Sequence, residues 1–182
     1  MNKKLYNPLD DLRAVFLVDI LHKAARLSKI AQESLMIEAL SKADQSPVTV
    51  ADFAVQALVG RSIEQAFPGE VLVGEENSET LKAKDGNKTL GQVVALLEKE
   101  FTDTTNERVC TWIDRGNGQP TSQFWVLDPV DGTKGFLRRD QFAIALAWIE
   151  FGVVELGGIA CPSLDLRDGG SPGTIFIARR GQ

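Results

Sequence analysis

Histidine and cysteine are scarce in this chain of 182 residues, which contains one histidine and two cysteines. Cys110 and Cys161 lie far apart in the sequence, and neither falls in the spacing of a metal site. A pair of reduced, mostly buried thiols is therefore favoured over a single disulfide. His22 falls within a helical pattern and is interpreted as a helix residue without a functional role. These shortages point away from a metal site built on cysteine or histidine.

The chain also lacks an excess of positive charge and a long apolar run. Its formal net charge is −5 at pH 7, whereas nonspecific binding to nucleic-acid polymers requires a basic surface. The longest apolar run, residues 142–149, is too short to span a bilayer. Lys3 and Lys4 lead into Asp10 and Asp11 rather than into the apolar core of a secretory signal. We therefore expect a cytoplasmic protein that binds neither nucleic-acid polymers nor membranes.

The most informative segment is residues 124–136, where an apolar run ends in two acidic residues. Residues 124–127 predict a buried strand, because four large apolar side chains in succession leave no polar face. Asp128 and Asp131 follow, and their carboxylates are hard oxygen ligands of the kind that Mg²⁺ prefers. The sequence therefore predicts a magnesium site where this strand ends.

The residues between and after these two carboxylates favour an anion site beside the metal. Pro129 keeps the preceding residue out of the helical region. Val130 lies where the chain bends, so its carbonyl oxygen can join the carboxylates. Gly132 permits a sharp turn, and Thr133 brings a hydroxyl to a helix or turn start whose backbone N–H groups can face an anion. Metal ligands beside such a cradle indicate phosphate chemistry, whereas the alternative is an ordinary Asp-Gly turn between two strands.

Two further acidic segments gain candidate roles only in combination with this one. Glu75 and Glu76 follow the apolar residues 71–73 and so lie at a strand end, although adjacent carboxylates are often just a solvated turn. Asp52 lies at the start of a helical pattern, where Thr49 or Asp52 would ordinarily be a capping residue.

Residues 46–52, 73–76 and 125–137 together resemble the lithium-sensitive, Mg²⁺-dependent phosphatase superfamily that includes inositol monophosphatase and fructose-1,6-bisphosphatase. Residues 132–138 and 141–143 are similar to the 3'(2'),5'-bisphosphate nucleotidase branch rather than to the inositol branch. The likeness extends over nearly the whole chain, and the motifs keep the family's order and spacing.

The resemblance implies a role for each candidate residue. Two or three Mg²⁺ ions would be held by Glu75, Asp128, the Val130 carbonyl oxygen and Asp131. Asp52 and Thr133 would position and deprotonate the attacking water, and Thr133 is too weak a base unless a hydrogen bond to Asp52 assists it. The amides of Gly132 and Thr133 would hold the scissile phosphate, and Glu76, which would not bind the metal directly, would orient its ligands or water.

The same resemblance implies an enzyme that removes the 3'-phosphate of adenosine 3',5'-bisphosphate, and of its sulfated relative, by metal-activated water. Its partner would then be a small phosphorylated nucleotide. Two alternatives are open. One is a phosphatase of the same superfamily that acts on inositol phosphates. The other is a noncatalytic, truncated product with an exposed apolar face.

Hydrophobic periodicity predicts an α+β fold in which an antiparallel sheet is covered by N-terminal helices. Helices are expected over residues 12–36, 51–66 and 90–101. Strands are expected over residues 71–73, 109–113, 124–127, 142–150, 153–160 and 174–178. Phe151 and Gly152 form a tight turn, and the polar residues 77–89 form a mobile loop that is a candidate lid. The three tryptophans, Trp112, Trp125 and Trp148, are expected in the core or in strands.

The length of the chain is the main departure from the resembled family, whose members are roughly twice as long and carry a second α/β domain. We therefore expect residues 1–182 to form an N-terminal metal-binding and catalytic domain, truncated before a C-terminal domain that supplies a further metal ligand. Such a chain is expected to bind Mg²⁺ weakly and to turn over little or no substrate alone.

Overall fold

The computed structural model describes residues 11–34, 40–41, 47–83, 86–166 and 173–181. This part of the chain forms six helices and seven strands. In chain order they are α1 (Leu12–Ser34), β1 (Leu40–Ser41), β2 (Pro47–Val48), α2 (Val50–Ala66), β3 (Val71–Val73), α3 (Glu79–Lys82), α4 (Asn87–Leu97), α5 (Asn106–Asp114), β4 (Gln123–Asp131), α6 (Thr133–Leu137), β5 (Ala143–Glu150), β6 (Val153–Cys161) and β7 (Thr174–Arg179).

Five strands form one sheet in the order β3-β4-β5-β6-β7. The pairs β4-β5, β5-β6 and β6-β7 are antiparallel, whereas β3 runs parallel to β4. The predicted α+β class is confirmed, and the sheet is mixed because one edge strand is parallel. The predicted turn between β5 and β6 is also confirmed, with φ of 48° at Phe151 and 77° at Gly152, the positive angles that a tight hairpin requires.

Helices α1 and α2 cover one face of the sheet, as predicted. Leu17 and Leu21 of α1 are fully buried and lie directly over Gly158 of β6, where an added Cβ would come within 2.6 Å of Leu21. Trp125 of β4 is also fully buried. It packs against Trp148 of β5 with ring centroids 5.2 Å apart. All three tryptophans are buried in the core, as expected.

The opposite face of the sheet carries an apolar groove. Val126, Ala145, Ile159 and Phe176 line it, and Asp128 lines it as well. Ile159 and Phe176 are exposed. Asp128, the first acidic residue of the segment 124–136, thus lies on the sheet face that α1 and α2 leave uncovered. In the part of the chain that the structure describes, no helix has the length and apolar character that crossing a bilayer would demand.

The thiols of Cys110 and Cys161 are both free, which agrees with the predicted reduced state. Burial raises the pKa of each thiol, so that the unreactive thiol form is favoured at neutral pH. His22 lies in helix α1, as predicted, and its side chain is exposed.

One predicted strand is wrong, because residues 109–113 lie within helix α5. Thr105 caps this helix by accepting a hydrogen bond from the Arg108 amide. Its buried residues, Val109, Cys110, Trp112 and Ile113, follow the i, i+1, i+3, i+4 spacing of one helix face. A short apolar run of this kind does not distinguish a buried strand from a buried helix face.

The prediction of a mobile loop over residues 77–89 is also wrong for its described part. Residues 79–82 form α3, and α4 already begins at Asn87. Ser78 and Leu81 are fully buried. The Asp114 carboxylate accepts hydrogen bonds from the Ser78 amide at 2.8 Å and the Ser78 hydroxyl at 2.6 Å. The lid hypothesis therefore has no support in these residues.

We expect Asp114→Asn to destabilise the fold at pH 7 and to matter less in acid. Burial acts to raise the pKa of Asp114, but hydrogen bonds from Ser78 and Lys82 outweigh it and lower the pKa. The stabilisation is then fully present above the pKa of the unfolded state and is lost as the pH falls through the lower folded value. Urea unfolding should show a loss of about 1–3 kcal/mol at pH 7 that shrinks below about pH 4.

The control for this experiment is Asp19→Asn, which removes an exposed carboxylate paired with Lys23 on α1. It should change the unfolding free energy by less than about 0.5 kcal/mol. A loss in Asp114→Asn that stays constant from pH 7 to pH 3 would contradict the assigned role of the carboxylate.

Candidate metal and phosphate site

The parallel pairing of β3 and β4 brings the first two predicted ligands to one edge of the sheet. Val73 lies directly opposite Val126 in this pair. β3 ends at Val73, and the same register continued by two residues would set Glu75 beside Asp128. Because the carboxyl ends of parallel strands meet at the same edge, two acidic segments that are distant in sequence become neighbours there.

A β-bulge brings the third predicted ligand to the same face. Asp128 pairs with Ala145 and Asp131 pairs with Ala143, so three steps along β4 match two along β5. Residues three apart on a regular strand point to opposite faces. Here the extra residue of the bulge returns Asp131 to the face on which Asp128 lies. The two residues accordingly lie opposite two alanines that share one face. Pro129, which cannot donate to the ladder, lies within this irregular segment.

The predicted sharp turn follows immediately after β4. Gly132 adopts φ 85° and ψ 39°, and Thr133 is the first residue of α6. The Thr133 hydroxyl donates a hydrogen bond of 3.1 Å to the Val130 carbonyl oxygen. This oxygen keeps a second lone pair for another ligand. The contact connects two residues to which the sequence assigned different roles.

The short helix α6 is held in place by contacts to other elements. Phe136 is fully buried and meets Phe142 edge to face with ring centroids 4.9 Å apart. The Phe136 carbonyl accepts a hydrogen bond of 2.9 Å from the side-chain amide of Gln32 on α1. Helix α6 also packs against β2, which directly precedes the N-terminal residues of α2. The turn at Gly132 is therefore fixed to α1 and to the strand that leads into α2.

Asp52 takes part in a capping box at the start of α2. The hydroxyl of the N-cap residue Thr49 accepts from the amides of Ala51 and Asp52. In return, Asp52 Oδ2 accepts from the Thr49 amide at 2.8 Å and from the Thr49 hydroxyl at 2.5 Å. The capping interpretation is confirmed, while the proposed contact between Asp52 and Thr133 stays a prediction.

Glu75 and Glu76 differ sharply in their surroundings. Glu75 is exposed, whereas Glu76 is 4% exposed. The backbone of Glu76 is bonded to the side chain of Gln56, a buried residue of α2. Sequence reasoning did not single out Gln56. Its position four residues after Asp52, on the same helix face, was the signal that could have revealed it.

The donor set at this edge fits a hard divalent cation in its chemistry. Its members are carboxylate and carbonyl oxygens, which suit Mg²⁺, and Oδ1 of Asp128 and Oε1 of Glu76 are shielded from solvent. Within the described ranges, no three side chains of His, Cys, Asp or Glu lie as a closed set that could hold a metal. The predicted carboxylates thus lie on segments that lead to one edge of the sheet, but among the described residues their side chains do not meet as a group of three.

Sequence comparison identifies the class of protein to which this fold and its acidic edge belong. The sequence model of the Inositol monophosphatase family matches residues 14–182. The chain therefore belongs to the inositol monophosphatase family. The resemblance found in the three motifs is confirmed.

Individual relatives narrow this class. Over 157 residues the chain is 43% identical to 3'(2'),5'-bisphosphate nucleotidase 2 of Candida albicans, which covers 78% of this chain and 44% of that protein. Over 168 residues it is 41% identical to a 3'(2'),5'-bisphosphate nucleotidase of Oryza sativa, covering 82% and 47%. The chain thus spans about half the length of the curated relatives that it matches.

A solved structure supports the fold independently of these sequences. An IMPase of Thermotoga maritima superposes with a TM-score of 0.62 at 22% identity, over 93% of this chain and 48% of that chain. At this level of identity the similarity establishes the shared architecture.

Proposed function

We propose that this chain forms the metal-binding and phosphate-binding part of a Mg²⁺-dependent phosphatase that removes the 3'-phosphate of adenosine 3',5'-bisphosphate. The observation that supports the proposal most is the backbone register: Val73 pairs with Val126, and the same register continued by two residues would bring Glu75 beside Asp128, while Asp128 and Asp131 lie opposite two alanines of one face. The relatives named as 3'(2'),5'-bisphosphate nucleotidases favour this substrate over an inositol phosphate.

In this proposal the carboxylates of Glu75, Asp128 and Asp131, with the Val130 carbonyl oxygen, hold Mg²⁺. The bound ions would polarise the phosphoryl oxygens and lower the pKa of a coordinated water. Glu76, which is buried, would orient a ligand or a water. Because each carboxylate repels its neighbours in the absence of a cation, the cluster gains stability when a cation binds.

The phosphate lies against the turn after β4 in this proposal. Gly132 has no Cβ, so its amide and that of Thr133 can approach a phosphoryl oxygen closely. The Thr133 hydroxyl directs its hydrogen to Val130, and its lone pairs are therefore able to accept a hydrogen bond from the attacking water. Asp52, held by its capping box, is the carboxylate assigned to take up the proton of that water.

The chemistry can be tested in a chimera in which the matched 82% of this chain replaces the corresponding segment of the Oryza sativa relative. We expect Mg²⁺-dependent release of phosphate from adenosine 3',5'-bisphosphate, and its loss in EDTA. A folded chimera without this activity, when the intact relative is active, would refute the catalytic assignment. Ligand preference is tested on the 182-residue chain itself. With Mg²⁺, adenosine 3',5'-bisphosphate should raise its melting temperature more than an inositol monophosphate does.

A further inference from the structure

The side-chain amide of Gln56 makes three hydrogen bonds in a completely buried setting. Gln56 lies in the middle of α2 and is 0% exposed. Its Oε1 accepts from the Glu76 amide at 2.8 Å, and its Nε2 donates to the Glu76 carbonyl at 2.5 Å and to the Ile113 carbonyl at 2.8 Å. A buried amide without these partners would be costly. The opposite orientation of the amide would set N–H against N–H and oxygen against oxygen.

The Gln56 amide completes a row of backbone pairing along the outer edge of β3. The Gly118 amide donates to the Leu72 carbonyl at 3.1 Å, and the Gly74 amide donates to the Gly116 carbonyl at 2.8 Å. Two residues after Gly74, the Gln56 side-chain amide takes the place of a neighbouring backbone, because it bonds to both the N–H and the carbonyl of Glu76. The chain is thereby fixed on both sides of Glu75.

Two glycines make room for this amide. A Cβ added at Gly74 would lie 2.5 Å from Gln56 Oε1, and one added at Gly116 would meet Gln56 Nε2 inside the 3.0 Å that real Cβ atoms keep. Neither glycine has a positive φ. At Gly74 all three of the nearest atoms belong to Gln56, as do the two nearest at Gly116. The space that Gly74 and Gly116 leave free is therefore filled by the side-chain amide of Gln56.

We propose that Gln56 is a positioning residue for the metal site. It holds the backbone of residues 74–76 so that the Glu75 carboxylate is presented beside Asp128. Because Gln56 lies one helical turn after Asp52 on the same face of α2, it also fixes the distance between Asp52 and Glu75. This inference rests on the proposed function, since it takes Glu75 as a Mg²⁺ ligand.

An amide suits this position better than any similar side chain. Glutamate in its ionised form accepts only, so it would lose both donors and set a buried charge against the carbonyls of Glu76 and Ile113. Methionine keeps the length and approximate volume but has no donor. Gln56→Met therefore removes the hydrogen bonds with little change in packing and is the variant of choice.

The test measures the Mg²⁺ dissociation constant of the 182-residue chain by calorimetric titration, together with its urea unfolding without metal. Gln56→Met should weaken Mg²⁺ binding by about 10- to 100-fold, the range found for residues that orient metal ligands. Leu97→Ala is the matched control, because Leu97 is fully buried at the end of α4. It should lower stability yet leave the dissociation constant within about twofold.

A cycle with Glu75→Gln separates failure of this inference from failure of the proposed function. We expect Glu75→Gln to weaken Mg²⁺ binding, and Gln56→Met to add less than about twofold in that background, because both changes remove one ligand. If Glu75→Gln leaves Mg²⁺ binding unchanged, the proposed function is wrong at this residue. If Glu75→Gln weakens binding and Gln56→Met does not, the positioning role is overturned.

Gly116→Ala provides a second route should Gln56→Met fail to fold. The added methyl group would displace the Gln56 amide, the flexible end of a side chain, and should weaken Mg²⁺ binding in the same direction. In a Gln56→Ala background the same glycine change should have no further effect. A Gly116→Ala protein with unaltered Mg²⁺ affinity would also count against the proposal.

Discussion

Asp128→Asn is expected to abolish measurable Mg²⁺ binding while leaving the fold intact. Asp128 lies on β4 opposite Ala145, and Oδ1 is shielded from solvent. Asparagine has nearly the same shape but lacks the negative charge. Mutating a residue that only orients a metal ligand already lowers metal affinity by about 10- to 100-fold. Removing a ligand itself should therefore lower Mg²⁺ affinity by at least about 100-fold.

Without metal, the same substitution should leave the stability of the protein unchanged or slightly raised. In the proposed site Asp128 shares one Mg²⁺-binding cluster with Glu75 and Asp131, and like charges that share a site repel one another. Asp128→Asn should therefore unfold at an equal or slightly higher urea concentration than the wild type without metal. The two proteins should diverge only when Mg²⁺ stabilises the wild type. Calorimetric titration and urea unfolding with and without Mg²⁺ measure both effects.

Asp19→Asn serves as the control for charge, since Asp19 is exposed on α1 and paired with Lys23. It changes the net charge of the chain by the same amount and should leave Mg²⁺ affinity unaltered. Equal Mg²⁺ affinity in Asp128→Asn and the wild type would remove Asp128 from the site. An equal loss in Asp19→Asn would show that binding follows overall charge and not a built site.

Local signals in the sequence were sufficient for the elements that dominate the fold. Helix α2 spans Val50–Ala66, within one residue of the prediction, because Thr49 and Asp52 form a capping box at its start. The β5-β6 hairpin was predictable from two apolar runs separated by Phe151 and Gly152. In each case the relevant contacts lie close together along the chain.

The site depends on long-range pairing, and here sequence reasoning reached only part of the way. The acidic segments were found from residue type, but neither the parallel pairing of β3 with β4 nor the bulge of β4 follows from a local pattern. Asp128 and Asp131 also fall within β4 and not after it. Only the shifted register between β4 and β5 reveals that Asp128 and Asp131, three residues apart, share a face.

Buried polar contacts were the least accessible from the sequence. Gln56 reads as an ordinary helix residue, and its bonds reach residues 20 and 57 positions away. The bonds from Ser78 to Asp114 span 36 positions, and they turned a predicted mobile loop into an ordered connection. Polar residues in a helix or loop are by default expected in solvent, so their burial emerges only from the packed structure.

Trp125→Ala is expected to have the largest effect on stability. It also concerns the candidate metal site, because Trp125 lies on β4, the strand that carries Asp128. Trp125 is fully buried, with its ring centroid 5.6 Å from that of Phe16 and 5.2 Å from that of Trp148. Its indole N–H donates to Glu70 Oε2 at 2.7 Å. Removing a buried tryptophan side chain typically costs about 3–5 kcal/mol, a large share of the roughly 5–15 kcal/mol of a whole domain.

The matched variant Trp125→Phe keeps an aromatic ring but loses the hydrogen bond to Glu70. It should cost less than the alanine change, because much of the buried apolar surface is retained and a single hydrogen bond is worth about 0.5–1.5 kcal/mol. Urea unfolding followed by far-UV circular dichroism separates the two variants.

Because Trp125 lies on the helix-covered face of the strand whose other face carries Asp128, its loss should loosen the attachment of β4 to α1 and α2. If Trp125→Ala costs less than about 1 kcal/mol, below the usual range for emptying a packed core, then Trp125 does not anchor β4 to the helices.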